Sequence, residues 1–368
     1  MWADRRVIDL FGIEHPILLS PMANASTVDL AIAVSEAGGL GALPCGQLSS
    51  EQIRSLFETA VQRTSRPLNA NFFCHQAPAY DAARDARWRA RLARYYTELG
   101  IEPKPGAPPA PPPPFDEEAC ALVEEFKPKV VSFHFGLPEQ RLLARVKATG
   151  AVVVSSATTV AEARWLEEHG SDAVIAQGYE AGGHRGMFLD EEVATQVGGL
   201  SLIPQIADAV GIPVIAAGGI ADGRGIAAAL VLGASAVQIG TAYLRCPESG
   251  FKPIQQDALR RARDDGTALT NVFTGRPARA VVTRFARELG FIDPEAPAYP
   301  YPISAVAPLR AKAETEGNTD FVYALVGQSA AMARDIPAAE LTKALAAEAL
   351  EKLRGASAPT AKAGAKRR

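Results

Sequence analysis

The stretch PVIAAGGIADGRGIAAALVLGASAVQIGT, residues 213–241, decides the fold of this 368-residue chain. It begins with a continuous apolar run at 213–219 and ends with a second one at 236–241. Between them, residues 223–232 have the composition of a helix that stops at a glycine. Continuous rather than alternating apolar runs are typical of parallel strands that are covered on both faces. The stretch therefore predicts a strand, a helix and a second strand of one parallel sheet.

The same alternation precedes this stretch. Six further apolar runs are separated mostly by alanine-rich segments with helical spacing, and several units repeat after about twenty residues. The runs are PILLSPM at 16–22, GLGALP at 39–44, PLNANFF at 67–73, VVSFHFG at 130–136, AVVVSSA at 151–157 and DAVIAQG at 172–178. Eight strands that alternate with helices predict an α/β fold, the (β/α)8 TIM barrel.

Two regions are longer than a strand and a helix require. Residues 74–129 contain the arginine-rich segment DAARDARWRARLARYY and a proline run, so we expect a Pro-rich insertion at about 101–115. After the eighth run about 110 residues remain, more than one closing helix needs. We therefore expect the barrel to occupy residues 1–250, an additional, mainly helical C-terminal region at the barrel mouth to occupy 251–354, and a disordered tail to occupy 355–368.

Composition and charge argue against several classes of partner. The chain is 48% hydrophobic and 21% charged with a net charge of -3, so we expect neither nucleic acid nor an anionic membrane surface as a partner. The first residues contain charges and no long apolar stretch, and the four cysteines are far apart without metal or disulfide spacing. We therefore expect a cytoplasmic protein, and both a monomer and a homodimer remain open.

The glycine-rich ends of the last two predicted strands indicate a phosphate site. Gly218 and Gly219 close the seventh strand, and Gly240 and Thr241 close the eighth. Glycine lacks the Cβ that would keep a ligand away from the backbone, so successive amides can point at an anion. The loops after these two strands are the usual phosphate site of such barrels. The alternative is that these glycines only make tight turns, and by themselves they do not identify the ligand.

His184 is the main candidate for a catalytic group. It lies in QGYEAGGHRG at 177–186, after the sixth predicted strand, where Gly182 and Gly183 disfavour core packing. A histidine with a near-neutral pKa suits proton abstraction. His134 in SFHFG is the second candidate, whereas His75 in NFFCH fits a functional and a structural role equally. The sequence contains no metal-binding motif.

Several long motifs resemble the nitronate monooxygenases, formerly called 2-nitropropane dioxygenases, and specifically their class I branch. They are LLSPMANAST, NANFFCH, VVSFHFG, SSATTVAEARWLEEHGSDAVIAQGYEAGGHRG, PVIAAGGIADGRGIAAALVLGASAVQIGTAYLRCPES, FTGRPARA and, more weakly, the segment that ends in GQSA. This resemblance implies a non-covalent FMN and the oxidation of alkyl nitronates, notably propionate 3-nitronate, by dioxygen, without a reduced nicotinamide.

The resemblance also implies roles for residues at matching positions. His184 would be the catalytic histidine, with His134 as a nearby catalytic companion. The implied FMN contacts are Met22, Asn71, Gln177, Gly182, Gly219, Gln238, Ile239, Gly240 and Thr241. The candidates for substrate contact lie in more divergent segments and are Ser329 of GQSA, Tyr299, Tyr301 and Tyr323.

Two roles remain open for His184: a protonated partner of the nitronate anion, or a base that removes the carbon proton of a neutral nitroalkane. The same barrel pattern is shared with FMN-dependent NAD(P)H:quinone reductases and enoyl-thioester reductases, so a reductase is the first alternative function. A non-catalytic FMN- or phosphate-binding protein that recruits a partner through its Pro-rich loop is the second.

Overall fold

The structure is a computed structural model that describes residues 1–76, 78–102 and 113–357. Within these residues, eight parallel strands form a barrel, which confirms the predicted (β/α)8 TIM barrel. The barrel strands are β1 (Ile17–Leu19), β2 (Gly41–Pro44), β3 (Leu68–Phe73), β4 (Val130–His134), β5 (Val152–Ala157), β6 (Ala173–Gln177), β8 (Val214–Ala217) and β9 (Ala236–Ile239). The strands outside the barrel are β7 (Gly183–His184), β10 (Thr267–Thr270) and β11 (Ala278–Val281).

The barrel closes between its first and last strands. β1 pairs with β9 in parallel, and a parallel bridge joins Leu18 to Leu40 just before β2. The backbone nitrogen of Leu19 donates to the carbonyl of Leu40 at 2.8 Å, and the nitrogen of Leu40 donates to the carbonyl of Ile17 at 3.0 Å. These bonds leave the sheet without a free edge at this point.

Helices surround the barrel, as expected for parallel strands buried on both faces. Several begin at a capping side chain; Thr27, Ser49 and Thr159 each accept a hydrogen bond from the first turn of the helix that follows. The helices of this ring are α2 (Val28–Glu36), α3 (Ser50–Arg63), α5 (Glu117–Phe126), α6 (Gln140–Ala148), α7 (Val160–Glu168), α8 (Gly199–Ala207), α9 (Gly223–Val231) and α13 (Ala338–Ser357). A short helix, α1 (Arg6–Phe11), precedes β1.

Helix α13 completes the ring, although it follows β9 by about one hundred residues. It packs against α9 on one side and α2 on the other, and its Leu341 and Leu345 are fully buried in the barrel's core. The chain therefore leaves the barrel after β9 and returns only at residue 338. We call residues 241–337 the C-terminal excursion. The predicted C-terminal region at 251–354 thus includes a helix that belongs to the barrel wall.

The C-terminal excursion shares a second hydrophobic core with the insertion that follows β3. Helix α4 (Ala82–Glu98) of this insertion contributes Trp88 and Tyr95, which pack with Phe285 and Phe321 of the excursion. The excursion contains α10 (Pro253–Arg260), α11 (Arg284–Leu289), α12 (Pro302–Thr315), and the strands β10 and β11, which pair antiparallel. The expectation of a mainly helical region therefore missed a small sheet, because its two strands are only four residues long.

Two predicted features lie largely outside the described residues. Of the Pro-rich insertion expected at about 101–115, residues 103–112 are outside them. Of the tail expected at 355–368, the first three residues continue α13 and the others are outside the described part. Across the ranges that the structure does describe, no helix has both the length and the apolar character needed to span a bilayer.

We expect Gly223→Ala to destabilise the protein, because α13 packs directly on this glycine of α9. A Cβ at Gly223 would lie 2.6 Å from the backbone nitrogen of Ala349, whereas a Cβ at Gly225 in the same helix would meet Ile220 at an ordinary 3.4 Å. Both substitutions gain helix propensity, but overpacking at Gly223 costs about 1–3 kcal/mol. Thermal unfolding should show a lower midpoint for Gly223→Ala than for the control Gly225→Ala. Equal midpoints would contradict closure of the ring by α13.

Candidate active site

A cavity of about 340 Å³ lies at the carboxyl ends of the barrel strands and is covered by the C-terminal excursion. Its lining combines glycine backbone, amide and hydroxyl side chains, His134 and His184. Arg310 is the one arginine or lysine in this lining, and no aspartate or glutamate among the described residues belongs to it. A cavity with a cation and no carboxylate favours anionic ligands.

Glycine backbone shapes one end of the cavity. Gly182 lies so close to the excursion that a Cβ there would approach the nitrogen of Gly327 to 2.6 Å. Gly218 and Gly219 have φ values of 108° and 73°, a left-handed conformation that favours glycine. The hydroxyl oxygen of Thr241 accepts a hydrogen bond from the nitrogen of Gly327 at 2.9 Å. This end of the cavity can therefore bring backbone amides close to a phosphate.

Amide side chains line the barrel side of the cavity. The Oε1 atom of Gln238 is buried and has no hydrogen-bond partner in the described part of the chain. Because a buried acceptor without a partner costs about 1–3 kcal/mol, this oxygen indicates a ligand that donates a hydrogen bond. Asn71 donates to the hydroxyl oxygen of Ser132 at 2.9 Å. These contacts suit a flat polar ring system better than an aliphatic ligand.

His184 lies where the barrel meets the excursion. Strand β7 (Gly183–His184) follows the sixth barrel strand, yet it pairs antiparallel with β11 of the excursion. The carbonyl oxygen of His184 accepts a hydrogen bond from Nε2 of Gln177 at 2.9 Å and lies 3.2 Å from Nε2 of His134. Nε2 of His184 lies 3.0 Å from Oγ1 of Thr274. Both the backbone and the ring of His184 are therefore fixed in place.

Two buried arginines support the loop that carries His184. The guanidinium of Arg185, which is fully buried, donates to the carbonyl oxygens of Gln177 at 2.7 Å and Gly178 at 2.6 Å. Arg279 of β11 donates to the carbonyl oxygen of Tyr179 at 3.0 Å through Nη2. Because each guanidinium donates more than one hydrogen bond to backbone carbonyls, these side chains stabilise the conformation of the loop. Arg185 lies in GGHRG and Arg279 in RPARA, but the sequence alone does not distinguish these two buried arginines from arginines at the surface.

The surroundings of His184 keep its imidazole neutral. Burial, the adjacent His134, the guanidinium of Arg276 and His75 together lower the pKa of His184 from 6.5 to about 3. The carbon of the Arg276 guanidinium lies 4.1 Å from the centroid of the Phe135 ring. At neutral pH His184 thus has a free lone pair and no charge. This neutrality argues against a protonated partner for an anion and meets the first requirement of a base, although the low pKa makes the imidazole a weak one.

His134 contacts the loop that carries His184 and also lines the cavity. Its Nε2 lies 3.2 Å from the carbonyl oxygen of His184, and its Nδ1 lies 3.1 Å from Oγ of Ser156. Because a carbonyl only accepts, Nε2 carries the hydrogen and Nδ1 accepts from the hydroxyl of Ser156. Burial lowers the pKa of His134 to about 4. His134 lines the cavity, and both of its ring nitrogens have hydrogen-bond partners within the protein.

The other predicted site residues divide between the cavity and its walls. The lining includes Met22, Asn71, Gln177, Gly182, Gly219, Gln238, Gly240, Thr241, Tyr323 and Ser329. Ile239 is not part of it, because its side chain is buried in the barrel core. Tyr299 forms a wall beside His184, with ring centroids 5.4 Å apart. Tyr301 points elsewhere, since its hydroxyl donates to the carbonyl of Pro78 at 3.0 Å.

Arg310 of α12 is a candidate that the sequence does not distinguish from other arginines. It lines the cavity, and within the described ranges it forms neither a hydrogen bond nor a salt bridge. Its guanidinium carbon lies 5.0 Å from the centroid of the Tyr323 ring. Burial lowers the pKa of Arg310, but a guanidinium stays charged at neutral pH. The charge of Glu314 acts on Arg310 without forming a salt bridge, so this half-buried cation favours an anionic ligand in this part of the cavity.

Known proteins resemble this chain along nearly its whole length. A family model described as nitronate monooxygenase matches residues 4–348. A nitronate monooxygenase of Pseudomonas aeruginosa is 42% identical over 95% of this chain and 99% of its own length. A probable nitronate monooxygenase of Staphylococcus aureus is 35% identical over 92% of this chain and 95% of its own length. The similarity therefore spans both the barrel and the C-terminal excursion.

Solved structures show the same extent of similarity. A nitroalkane oxidase from Streptomyces ansochromogenes has a TM-score of 0.87 and 39% identity, covering 96% of this chain and all of the other. FabK from Thermotoga maritima has a TM-score of 0.72 and 33% identity, covering 95% of this chain and 98% of the other.

His75 should make the protein sensitive to acid. Its ring packs against Phe135 and Tyr299, neither nitrogen has a partner among the described residues, and burial lowers its pKa to about 4. The imidazole of His75 therefore binds a proton near pH 6.5 in the unfolded chain but stays neutral in the folded chain. As a result, the contribution of His75 to the free energy of unfolding is fully present above about pH 6.5 and declines towards pH 4. His75→Phe should make the unfolding midpoint less dependent on pH between about 7.5 and 5.

The control for this experiment is Tyr299→Phe, which alters the same aromatic cluster without removing an imidazole. It should keep the parent's pH dependence. An unchanged pH dependence in His75→Phe would show that His75 does not stay neutral in the folded protein.

Proposed function

This chain belongs to the nitronate monooxygenase family, and from that membership we propose that it binds FMN and oxidises alkyl nitronates, such as propionate 3-nitronate, with dioxygen. The products are carbonyl compounds and nitrite or nitrate. The observation that carries the proposal is the lining of the cavity, in which a neutral His184 and the unpaired cation Arg310 occur without a carboxylate among the described residues.

The residues of the cavity fit FMN. Gly182, Gly218 and Gly219 provide a backbone cradle of the kind that binds phosphate, and a Cβ at Gly182 would collide with the backbone of Gly327 beside it. The unpaired Oε1 of Gln238 offers an acceptor for a ring N–H. Ser329 follows Gly327 by two residues and lines the same cavity, so we place it at the phosphate end rather than among the substrate contacts. When bound, FMN supplies the ability to accept electrons from a nitronate and to pass them to dioxygen.

The position of Arg310 in the cavity supports a substrate that carries a second negative charge besides that of the nitronate. A nitronate carries one charge on its nitro oxygens, and propionate 3-nitronate adds a carboxylate. The guanidinium of Arg310 has all its donors available within the described residues, and a planar guanidinium matches a carboxylate with two parallel hydrogen bonds. Tyr323 lines the same cavity, and its hydroxyl lies near the side chain of Thr274. Together they provide donors for the substrate's carboxylate.

His184 extends the activity to neutral nitroalkanes. Because it is neutral and lines the cavity, it can remove a proton from the carbon beside the nitro group and produce the nitronate in place. The similarity to a solved nitroalkane oxidase supports this second substrate class. A nitronate supplied as such needs no base.

A reductase on the same barrel is the second candidate, favoured by the similarity to FabK. The two functions differ in the electron donor. Anaerobic bleaching of the flavin by NADH or NADPH, but not by nitronate, would select the reductase and overturn the proposal.

The direct test is to purify the protein, identify its flavin after heat release, and record oxygen uptake with propionate 3-nitronate. We expect FMN and rapid oxygen uptake without added nicotinamide. Protein without flavin, or FMN-loaded protein that does not consume oxygen with any nitronate, would overturn the proposal.

Arg310→Met should weaken the binding of propionate 3-nitronate selectively. Loss of a charged hydrogen-bonding partner costs about 1.5–3 kcal/mol, so KM should rise about 10- to 100-fold. For ethyl nitronate, which has no carboxylate, the factor by which KM rises should be at least about tenfold smaller. Arg310→Lys is the matched control and should restore part of the affinity, since it keeps the charge but loses the planar fork. An equal rise in KM for both nitronates would contradict a contact with the carboxylate.

A further inference from the structure

The ring of His184 has a partner in the C-terminal excursion. Thr274 follows β10, is 4% exposed, and its Oγ1 lies 3.0 Å from Nε2 of His184. We propose that Thr274 is a positioning residue that holds the proton of the neutral His184 ring on Nε2 and so leaves Nδ1 to take up the proton of a neutral nitroalkane. This inference rests on the proposed function, in which His184 acts as a base.

A second contact of Thr274 sets the direction of this hydrogen bond. Its hydroxyl lies 3.3 Å from the carbonyl oxygen of Arg276, which can only accept. A hydroxyl has one hydrogen, so when it donates to Arg276 its oxygen is left to accept from His184. Nε2 must then carry the hydrogen. The opposite tautomer would take the hydroxyl's hydrogen and leave the carbonyl of Arg276 without this donor.

The other ring nitrogen of His184 remains free. Nδ1 has no hydrogen-bond partner in the part of the chain that the structure describes, and the side chain lines the cavity. The ring edges meet aromatic neighbours instead, with centroids 6.2 Å from Phe135 and 5.4 Å from Tyr299. The hydroxyl of Tyr299 accepts from Nε2 of Gln47 at 3.1 Å. The aromatic walls thus hold the plane of the ring without occupying Nδ1.

Charge does not select the tautomer of His184. The titratable and charged groups that act on the ring are His134, Arg276 and His75, none of which accepts a hydrogen bond from it. In many enzymes a carboxylate orients the catalytic imidazole, but no carboxylate among the described residues lines this cavity. The hydroxyl of Thr274 takes the place of that carboxylate. A neutral acceptor fixes the tautomer without adding a negative charge beside an anionic substrate.

The proton transfer is balanced without another reactant. The C–H bond beside the nitro group breaks, and its proton forms a new N–H bond at Nδ1 of His184. The electron pair of the broken bond forms the C=N bond of the nitronate, and the negative charge passes to the nitro oxygens. A neutral pair thereby becomes an ion pair of imidazolium and nitronate, and Thr274 continues to accept from Nε2 throughout.

The tautomer can be measured without turnover. Histidine labelled with 15N in the FMN-loaded protein gives separate signals for ring nitrogens with and without a proton, and His184→Asn identifies the pair that belongs to His184. We expect the parent and Thr274→Ser to show a proton on Nε2, and Thr274→Val to show both tautomers. A proton on Nδ1 in the parent, or identical spectra for Thr274→Val and the parent, would overturn the inference.

Kinetics separate positioning from a merely structural role. Because general base catalysis contributes on the order of 10²–10⁴-fold, Thr274→Val should lose at least about tenfold more kcat with a neutral nitroalkane than with its preformed nitronate. Thr274→Ser should recover most of this difference. Equal losses with the two substrates would overturn the positioning role.

Two further observations keep this test independent of folding and of the proposed function. Flavin absorbance and circular dichroism check the fold, and Thr274→Ala removes the hydroxyl without added bulk should Thr274→Val not fold. Failure of the proposed function has a different signature: the parent would not turn over nitroalkanes, while the labelled spectra would still respond to Thr274→Val and support the positioning role.

Discussion

The antiparallel pairing of Gly183–His184 with β11 joins the barrel to the C-terminal excursion, and the candidate active site depends on it. Without this pairing His184 would lie in a glycine-rich loop with freedom to move. With it, the loop gains backbone hydrogen bonds, the guanidinium of Arg279 from β11, and a partner for the His184 ring in Thr274. The excursion in turn is held by the return of α13 to the barrel wall and by the second core shared with α4.

The buried histidines and arginines around the cavity determine which ligands it can bind. Three histidines lie near Arg276, and their imidazoles stay neutral because a further charge would be neither hydrated nor balanced by a carboxylate. Arg310 keeps its charge and forms no salt bridge within the described residues. The cavity is therefore complementary to anions that the ligands bring with them, namely a phosphate and a nitronate. Before a nitroalkane reacts, a protonated His184 could not act as a base, and its charge would have no anion beside it until the nitronate forms.

The sequence predicts the parts of this account that are local. Continuous apolar runs place all eight barrel strands, the paired glycines of the last two loops indicate phosphate, and His184 stands out because glycines surround it. Contacts between distant segments are not visible in the same way. Thr274 lies ninety residues from His184, and Arg310 is brought to the cavity only by the fold of the excursion. For the same reason the sequence does not reveal that the two ring nitrogens of His134 contact Ser156 and the carbonyl oxygen of His184.

The role of His184 as a neutral base at this junction can be tested by comparing two substrates. His184→Asn, loaded with FMN, is assayed for oxygen uptake with a neutral nitroalkane and with the preformed nitronate. We expect turnover of the nitroalkane to fall at least about a hundredfold more than turnover of the nitronate, in keeping with the contribution of a general base. Equal effects on both substrates, or no effect on either, would contradict it.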